Sequence, residues 1–195
     1  PESGSGPGIL LLQEIFGINQ HIRDVADYYA EEGYVVLAPD LFWRMELEVE
    51  LGYSEEDFQK AFGFYQKFDV PTCIEDMQAA TKALHDLDEC KGKVGSIGFC
   101  LGGKLSYLAA AHCAVDVAVC YYGVGIEEDL DLKGKITCPV VMHFAELDQF
   151  VPAEAREQVS AAFSKCPEIE IYTYPGTDHA FNTPGRDSYD KPAAQ

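Results

Sequence analysis

Residues 94–103 read Val-Gly-Ser-Ile-Gly-Phe-Cys-Leu-Gly-Gly, and this stretch decides the fold. An apolar strand stops at a Gly-x-Cys-x-Gly turn and the chain re-enters as a helix, the pattern called a nucleophile elbow. The turn is so sharp that flanking side chains must be nearly absent, which explains the glycines at 98 and 102. The elbow holds a reactive side chain out at the carboxyl end of the strand. Here that side chain is the thiol of Cys100 and not the usual hydroxyl.

Outward from this turn, short apolar runs alternate with helical patterns along the whole chain. Runs such as residues 9–12 show no polar alternation, which is typical of strands buried on both faces. The predicted strands lie at residues 8–15, 34–38, 93–99, 115–122, 139–144 and 168–174. The predicted helices between them lie at residues 19–33, 54–68, 72–84, 101–112 and 152–163.

Helix starts are marked by capping residues. Asn19 and Ser54 are predicted N-caps, and Thr72 with Glu75 resembles a capping box. Strands that alternate with helices form βαβ units with right-handed crossovers. We therefore expect an α/β fold with a mostly parallel sheet, helices on both faces, and a single domain over residues 1–195.

Charge and cysteine content exclude several classes of partner. The 33 acidic and 14 basic residues give a net charge of −19, so nucleic acid and anionic membrane surfaces should repel the chain. Seven cysteines, an odd number without a CxxC pair, favour a reducing, cytoplasmic location. The sequence shows no signal peptide, and it has no apolar run long enough to predict a membrane span. The sequence starts at Pro1 and enters a strand almost at once, so we expect residues to be missing at one or both ends.

The polar residues that follow the strands predict a catalytic triad. A nucleophilic thiol needs a base, and the base needs an orienting acid. Asp148 follows the 139–144 strand and His179 follows the last strand, so the chain order is nucleophile, acid, base. We assign Cys100 as nucleophile, His179 as general base and acid, and Asp148 as its orienter. Two competing acids, Glu146 and Asp178, lie near the same sheet edge.

Three further residues complete the predicted chemistry. An oxyanion hole needs two backbone N–H groups, which we assign to Leu101 and, most simply, Ile15. Glu14 is unusual because it is a carboxylate that ends an otherwise apolar strand beside the thiol. A negative neighbour disfavours the thiolate, so Glu14 is a candidate for keeping the resting thiol protonated.

Aromatic residues near the same edge are candidates for an apolar pocket wall, although each also fits a place in the core. These candidates are Phe16, Phe42, Trp43, Phe64, Tyr122 and Phe181. The other four histidines are not grouped with cysteines or carboxylates at metal-ligand spacing, so we predict no metal and no cofactor. The expected partner is a small-molecule ester or lactone, bound by a monomer or a small homo-oligomer.

At this point the chain resembles the dienelactone hydrolase (carboxymethylenebutenolidase) family. The resemblance runs through almost the whole chain, and its cysteine elbow and Gln-Glu-Ile-Phe-Gly loop are quite specific. The matching pieces are residues 13–17, 38–41, 92–95, 98–103, 121–123, Asp148 before Val151-Pro152, and residues 179–181. The resemblance implies an α/β-hydrolase fold, the triad named above and a Glu14 that contacts the resting thiol. It also implies an N-terminal hairpin and a C-terminal helix that this sequence lacks.

One departure concerns substrate binding. The family holds its substrate's carboxylate with two arginines, one shortly after the catalytic histidine and one near residues 58–60. Neither stands in this sequence; Lys60, Arg44 and Arg186 are the cations that could replace them. Dienelactone is therefore doubtful as the substrate, while ester or lactone hydrolysis through an acyl-thioester remains the expectation.

Two alternatives stay open. A flavodoxin-like thiol hydrolase or amidotransferase also uses a Gly-x-Cys-x-Gly elbow, but an amidotransferase needs a glutamate two residues after the histidine, where Phe181 stands. A non-catalytic or redox-sensing protein would retain the elbow because a cysteine at a helix N-terminus is prone to oxidation.

Overall fold

The computed structural model describes all residues 1–195 and contains one six-stranded sheet in the order β2-β1-β3-β4-β5-β6. Every neighbouring pair of strands is parallel. The strands are β1 Gly6–Leu12, β2 Val35–Leu37, β3 Cys90–Phe99, β4 Val117–Tyr121, β5 Val140–Ala145 and β6 Ile169–Tyr174. The helices are α1 Gln20–Glu31, α2 Glu55–Tyr65, α3 Val70–Asp86, α4 Leu101–His112, α5 Ala153–Phe163 and the short α6 Lys191–Ala194.

Helices cover both faces of the sheet because alternate residues of β1 point to opposite sides. Leu10 and Leu12 belong to a cluster of 26 buried residues that includes side chains of α3, α4 and α5. Ile9 and Leu11 belong to a separate cluster with Ile22 of α1. The expected parallel α/β fold is confirmed, and all carboxyl ends of the strands lie at one edge.

The turn between β3 and α4 has the geometry that its glycines predict. Cys100 adopts φ 55° and ψ −114°, a strained conformation for a residue with a side chain. A Cβ at Gly98 would lie 1.9 Å from the Gly102 carbonyl oxygen, and one at Gly102 would lie 2.2 Å from that of Leu12. Glycine is therefore required at both positions by the close approach of backbone.

The structure corrects several element boundaries. Helix α3 begins at Val70 and is capped by Asp69, whose side chain accepts from the Thr72 N–H, so Thr72 is not the cap. The pattern missed a 3₁₀ segment at Ile126–Lys135, which is broken at Asp129. The predicted strands are also one to three residues too long at several ends, because strand ends without a partner leave the ladder first.

The connection at residues 41–53 returns to the loop that follows β1. Gly17 and Glu50 form an antiparallel bridge, and Leu51 N–H donates to the Phe16 carbonyl at 2.9 Å. This pairing brings Tyr53 and helix α2 next to the carboxyl end of β1, where the elbow also lies.

Candidate active site

An imidazole and a buried carboxylate meet at the carboxyl edge of the sheet. His179 Nδ1 and Asp148 Oδ2 are 2.7 Å apart. The other Asp148 oxygen accepts from the N–H groups of Phe150 and Val151, at 2.8 and 3.1 Å. Because Asp148 is only 3 % exposed, these bonds hold its carboxylate in one orientation. A carboxylate at Nδ1 leaves Nε2 available to accept a proton.

The two competing acids, Glu146 and Asp178, bind backbone N–H groups of the loop that carries His179 and do not bind its imidazole. Glu146 Oε2 accepts from the Gly176 N–H at 2.8 Å. Asp178 Oδ1 accepts from the backbone N–H of His179 at 2.7 Å. Of the three acids considered from the sequence, only Asp148 bonds the imidazole.

The imidazole is held between two aromatic rings. Tyr122 lies 4.7 Å from it and Phe150 4.9 Å, measured between ring centroids. Burial lowers the pKa of His179, but the charge of Cys100 and the hydrogen bond to Asp148 outweigh burial and raise that pKa to about 10. The rise belongs to the ring beside an ionised Cys100, so the imidazolium is stabilised once the thiol has given up its proton.

Cys100 and His179 line the same narrow chamber, of about 50 Å³. Cys100 is partly exposed, and a hydrogen bond between its thiol and the imidazole contributes to the raised pKa of His179. Catalytic hydrogen bonds are often long before substrate binds and tighten in the complex. The two groups therefore face the same cavity, and a substrate bound there can contact both of them.

Glu14 lies in the wall of the chamber and is 1 % exposed. Its one side-chain hydrogen bond is a long one, 3.5 Å from the Tyr53 hydroxyl. Burial raises the pKa of Glu14, and the charges of Arg186 and His179 partly oppose this rise. No hydrogen bond joins Glu14 to Cys100, so the contact with the resting thiol that the resemblance implies stays a prediction.

The two predicted oxyanion donors flank the thiol. Leu101 is the first residue of α4, so its N–H belongs to the helix amides without an intrahelical acceptor. Ile15 lines the chamber in the loop after β1, and its N–H makes no hydrogen bond within the chain. Both N–H groups are free to bind an oxyanion, and that of Leu101 also lies at a helix N-terminus.

One cation faces the chamber. The Arg186 guanidinium lies 5.3 Å from the ring centroid of Phe16 and 4.8 Å from that of Tyr53. It makes no side-chain hydrogen bond or ion pair in the structure. The other two candidate cations lie elsewhere: Arg44 binds Asp76, and Lys60 binds Glu46.

The aromatic wall differs from the one predicted. Phe16 lines the chamber, whereas Trp43, Tyr122 and Phe181 do not. The Trp43 indole donates to Asp76 at 3.2 Å, and its ring stacks under Arg44 on the outer surface. Tyr122 and Phe181 are fully buried beneath the imidazole, where they support it without reaching the cavity. The other two candidates, Phe42 and Phe64, are stacked on each other outside the chamber lining.

Sequence reasoning missed the residues that form the rest of the wall. They are Phe58, Phe62 and Tyr65 of α2, Val124, and Phe150. The apolar stripe of α2 was visible at helical spacing, but such a stripe ordinarily faces the core. The sign that could have identified it is the excess of large aromatic residues over aliphatic ones on that stripe.

The structure contains neither a metal-ligand cluster nor a membrane-spanning helix. No group of three or more histidine, cysteine or acidic side chains is arranged to hold a metal ion. None of the helices is both long enough and apolar enough to cross a bilayer.

Comparison with known proteins identifies relatives over the full length. The model of the dienelactone hydrolase family matches residues 1–195. The carboxymethylenebutenolidase of Pseudomonas putida is 33% identical over 195 residues, which is 100% of this chain and 83% of that protein. The carboxymethylenebutenolidase of Pseudomonas sp. strain P51 is 35% identical, over 93% of this chain and 76% of that protein.

Solved structures agree with the sequence matches. A Klebsiella pneumoniae protein assigned as a dienelactone hydrolase superposes with a TM-score of 0.85 and 28% identity, covering 98% of this chain and 82% of that one. A dienelactone hydrolase-like promiscuous phosphotriesterase from metagenomic libraries gives 0.79 and 26%, over 98% and 82%. These neighbours have the α/β-hydrolase fold, which decides against the flavodoxin-like alternative.

Proposed function

The chain belongs to the dienelactone hydrolase family, and on that premise we propose that it hydrolyses small carboxylic esters or lactones through a thioester on Cys100. The observation that carries the proposal is the pairing of His179 with the buried Asp148 at 2.7 Å, the imidazole lining the same chamber as Cys100. A thiol, a base and an orienting acid at one cavity are the parts needed for nucleophilic acyl transfer.

In the first half of the reaction, His179 Nε2 takes the proton of the Cys100 thiol. The sulfur attacks the ester carbonyl, so a C–S bond forms and the carbonyl π electrons move to oxygen. The N–H groups of Leu101 and Ile15 stabilise this oxyanion. The C–O bond to the leaving group then breaks, and the imidazolium returns its proton to the departing oxygen. A lactone opens in the same way and stays attached as a hydroxyacyl group.

In the second half, His179 takes a proton from water and the resulting hydroxide attacks the thioester. A C–O bond forms, the C–S bond breaks, and the thiolate receives the proton from the imidazolium. Thiolates leave tetrahedral intermediates more readily than amines do. Esters with good leaving groups therefore proceed, and amides revert to starting material.

Arg186 is proposed to bind a carboxylate on the substrate. It is the cation that lines the chamber, and although its charge partly opposes the rise in the pKa of Glu14, it forms no ion pair with any acidic side chain. Guanidinium groups bind carboxylates through two parallel hydrogen bonds. Arg186 lies seven residues after His179, so its position differs from the one at which the family resemblance predicts an arginine.

The location and assembly remain predictions. All seven cysteines are free, which accords with a reducing compartment and supports a cytoplasmic location as a proposal. The small-molecule partner is supported by the narrow chamber, and the protein is proposed to be a monomer or a small homo-oligomer.

Replacing the nucleophile tests the mechanism. The Cys100→Ala protein should fold normally and lose at least about 10³-fold in kcat/KM toward 4-nitrophenyl acetate. Mass spectrometry of the wild-type protein, quenched during turnover, should detect an acyl adduct on Cys100. Wild-type esterase activity in the Cys100→Ala protein would overturn the proposal. Peroxide-dependent modification of Cys100 without any esterase activity would favour the redox-sensing alternative.

Removing the cation tests substrate binding. Arg186→Met keeps the length of the side chain but not its charge. It should raise KM about 10- to 100-fold for an ester that carries a second, free carboxylate. The corresponding methyl ester, which has no free charge, serves as the control and should keep its KM. An equal effect on both substrates would contradict a carboxylate-binding role.

A further inference from the structure

The chamber above Cys100 adjoins a wider outer cleft of about 660 Å³, and we call the boundary that the two spaces share the neck. Five residues line both spaces and therefore surround the neck: Phe16, Phe58, Phe150, His179 and Arg186. A substrate that reaches the thiol from the outer cleft passes these five side chains. The neck residues are thus the part of the site that contacts the substrate atoms next to the reacting bond.

Three of the five neck residues are phenylalanines, which already contact other aromatic rings. Phe16 and Phe58 have centroids 6.4 Å apart with planes inclined at 48°. Phe150 stands edge-to-face on the His179 imidazole at 4.9 Å. Ring pairs at these distances and angles are the arrangements that aromatic groups prefer among themselves.

The neck exposes apolar surface to solvent. Phe150 is 49% exposed, and Phe62, which stacks behind Phe58 with planes 6° apart, is 38% exposed. Large apolar side chains left open beside a reactive group commonly belong to a binding surface that the ligand covers. The position of these rings next to Cys100 identifies the covering group as part of the substrate.

Arg186 provides the polar contact at the neck. Its guanidinium already lies over the faces of Phe16 and Tyr53, and a substrate ring would offer it another such face. Lys60 of α2 is held by Glu46 at 2.8 Å and does not line the neck. The charge at the neck therefore fits one anionic group, and the remaining perimeter is aromatic.

We propose that the neck selects substrates in which an aromatic ring adjoins the ester or lactone, the ring lying between Phe58 and Phe150. This inference rests on the proposed function, whose substrate class it narrows. An alkyl group of equal size would fill the same space but would lose the ring-to-ring and cation–ring contacts. The preference for aryl over alkyl groups is thus a property of the neck and not of the thiol chemistry.

Equilibrium binding tests the proposal without turnover. Phenylacetate and cyclohexylacetate carry the same carboxylate and differ only in a flat or a saturated ring. Their dissociation constants should be measured by calorimetry on the Cys100→Ala protein. Because cyclohexyl is the more hydrophobic group, burial alone predicts equal or tighter binding of cyclohexylacetate. Ring contacts predict about 3- to 10-fold tighter binding of phenylacetate.

Two variants connect the preference to the neck. Phe150→Leu, at a half-exposed position, and Phe58→Leu should each reduce the phenylacetate preference toward onefold. Tyr28→Leu, which removes an exposed aromatic ring from α1, should leave it unchanged. Equal binding of the two acids by the Cys100→Ala protein, or a preference that survives both neck variants, would overturn the inference. Neither result would bear on the nucleophile, which the esterase assay of Cys100→Ala tests separately.

Discussion

The imidazole of His179 and the carboxylate of Asp148 are each held in place by additional contacts with their surroundings. Asp148 accepts two backbone N–H bonds in addition to its bond with His179, and Tyr122 places a buried ring against the imidazole. The Tyr122 hydroxyl is in turn bonded to Asn182 and Thr183, at 2.5 and 3.1 Å. These contacts fix the ring's position before substrate arrives, which is the condition for efficient proton transfer.

Asp148→Asn tests the orienting role. The amide can present its NH₂ group to Nδ1 and so favour the tautomer whose Nε2 carries the proton. We expect kcat/KM for 4-nitrophenyl acetate to fall about 10³- to 10⁴-fold, while the fold persists by circular dichroism. Asp178→Asn is the control because Asp178 bonds only the backbone of the same loop, and its loss should be less than about tenfold. Similar losses in the two variants would contradict the assignment.

Glu14→Gln tests the cost of a buried carboxyl. Burial raises the pKa of Glu14 above that of an unfolded glutamate, so the folded state is favoured by protonation and loses stability as pH rises through the raised pKa. Because the glutamine amide does not ionise, the variant does not undergo this loss of stability. We expect the variant to exceed the wild type in unfolding free energy by about 1 kcal/mol at about pH 7 and to match it near about pH 4. Denaturant titrations at the two pH values provide the measurement.

Among the elements, the β3–α4 elbow has the strictest packing. Gly98→Ala would place a methyl group 1.9 Å from the Gly102 carbonyl oxygen, both atoms belonging to the turn that presents Cys100. We expect a loss of at least about 3 kcal/mol in stability together with loss of esterase activity. Gly63→Ala in α2 is the matched control, since nothing lies within 4 Å of the added carbon. That change should stabilise the protein by about 0.5–1 kcal/mol, because alanine favours helix. A stable, active Gly98→Ala protein would contradict the close approach.

Helix α1 makes stability depend on pH through His21. The ring is 8% exposed, lies edge-to-face on Phe99, and is 3.4 Å from Thr183 Oγ1. Burial, aided by Arg186 and opposed by Asp24, lowers the pKa of His21 from 6.5 to about 4.

The lowered pKa means that the unfolded chain binds this proton more tightly, so stability is full above about pH 6.5 and declines as pH falls toward 4. The decline attributable to His21 is at most about 3 kcal/mol. His21→Gln should flatten the unfolding free energy over this range, measured by urea titration at several pH values. His85→Gln, at an exposed position, should keep the wild-type slope. An unchanged slope in His21→Gln would show that other groups cause the pH dependence.

At the scale of the whole molecule, net charge opposes the proposed anionic substrate. The chain carries −19, and Asp178 and Asp187 line the outer cleft beside Arg186. Long-range repulsion is screened by salt, whereas the short-range attraction of Arg186 is screened less. Raising ionic strength from about 10 mM to about 0.2 M should therefore increase kcat/KM for a carboxylate-bearing ester about 2- to 5-fold. The neutral methyl ester should show no change, and a decrease for the anionic ester would contradict the argument.

The architecture and the family could be predicted from local sequence. Glycines at 98 and 102 are demanded by a turn between adjacent elements, and unbroken apolar runs such as residues 9–12 mark parallel strands. Cys100, Asp148 and His179 were then expected at one edge of the sheet because parallel strands bring their carboxyl ends together there. Each of these steps depends on residues that are close in the chain or on a general rule of sheet topology.

The chamber wall depended on how distant segments pack. The stripe of α2 at Phe58 and Phe62 has the same spacing whether it faces the core or a cavity, and only the bridge between Gly17 and Glu50 brings it over the thiol. Trp43 was a candidate for the pocket wall, but its hydrogen bond to Asp76 of α3 holds the indole on the surface. Arg186 lines the chamber because the loop after His179 folds back over Phe16. Such choices rest on small differences between alternative long-range contacts, and no local pattern encodes them.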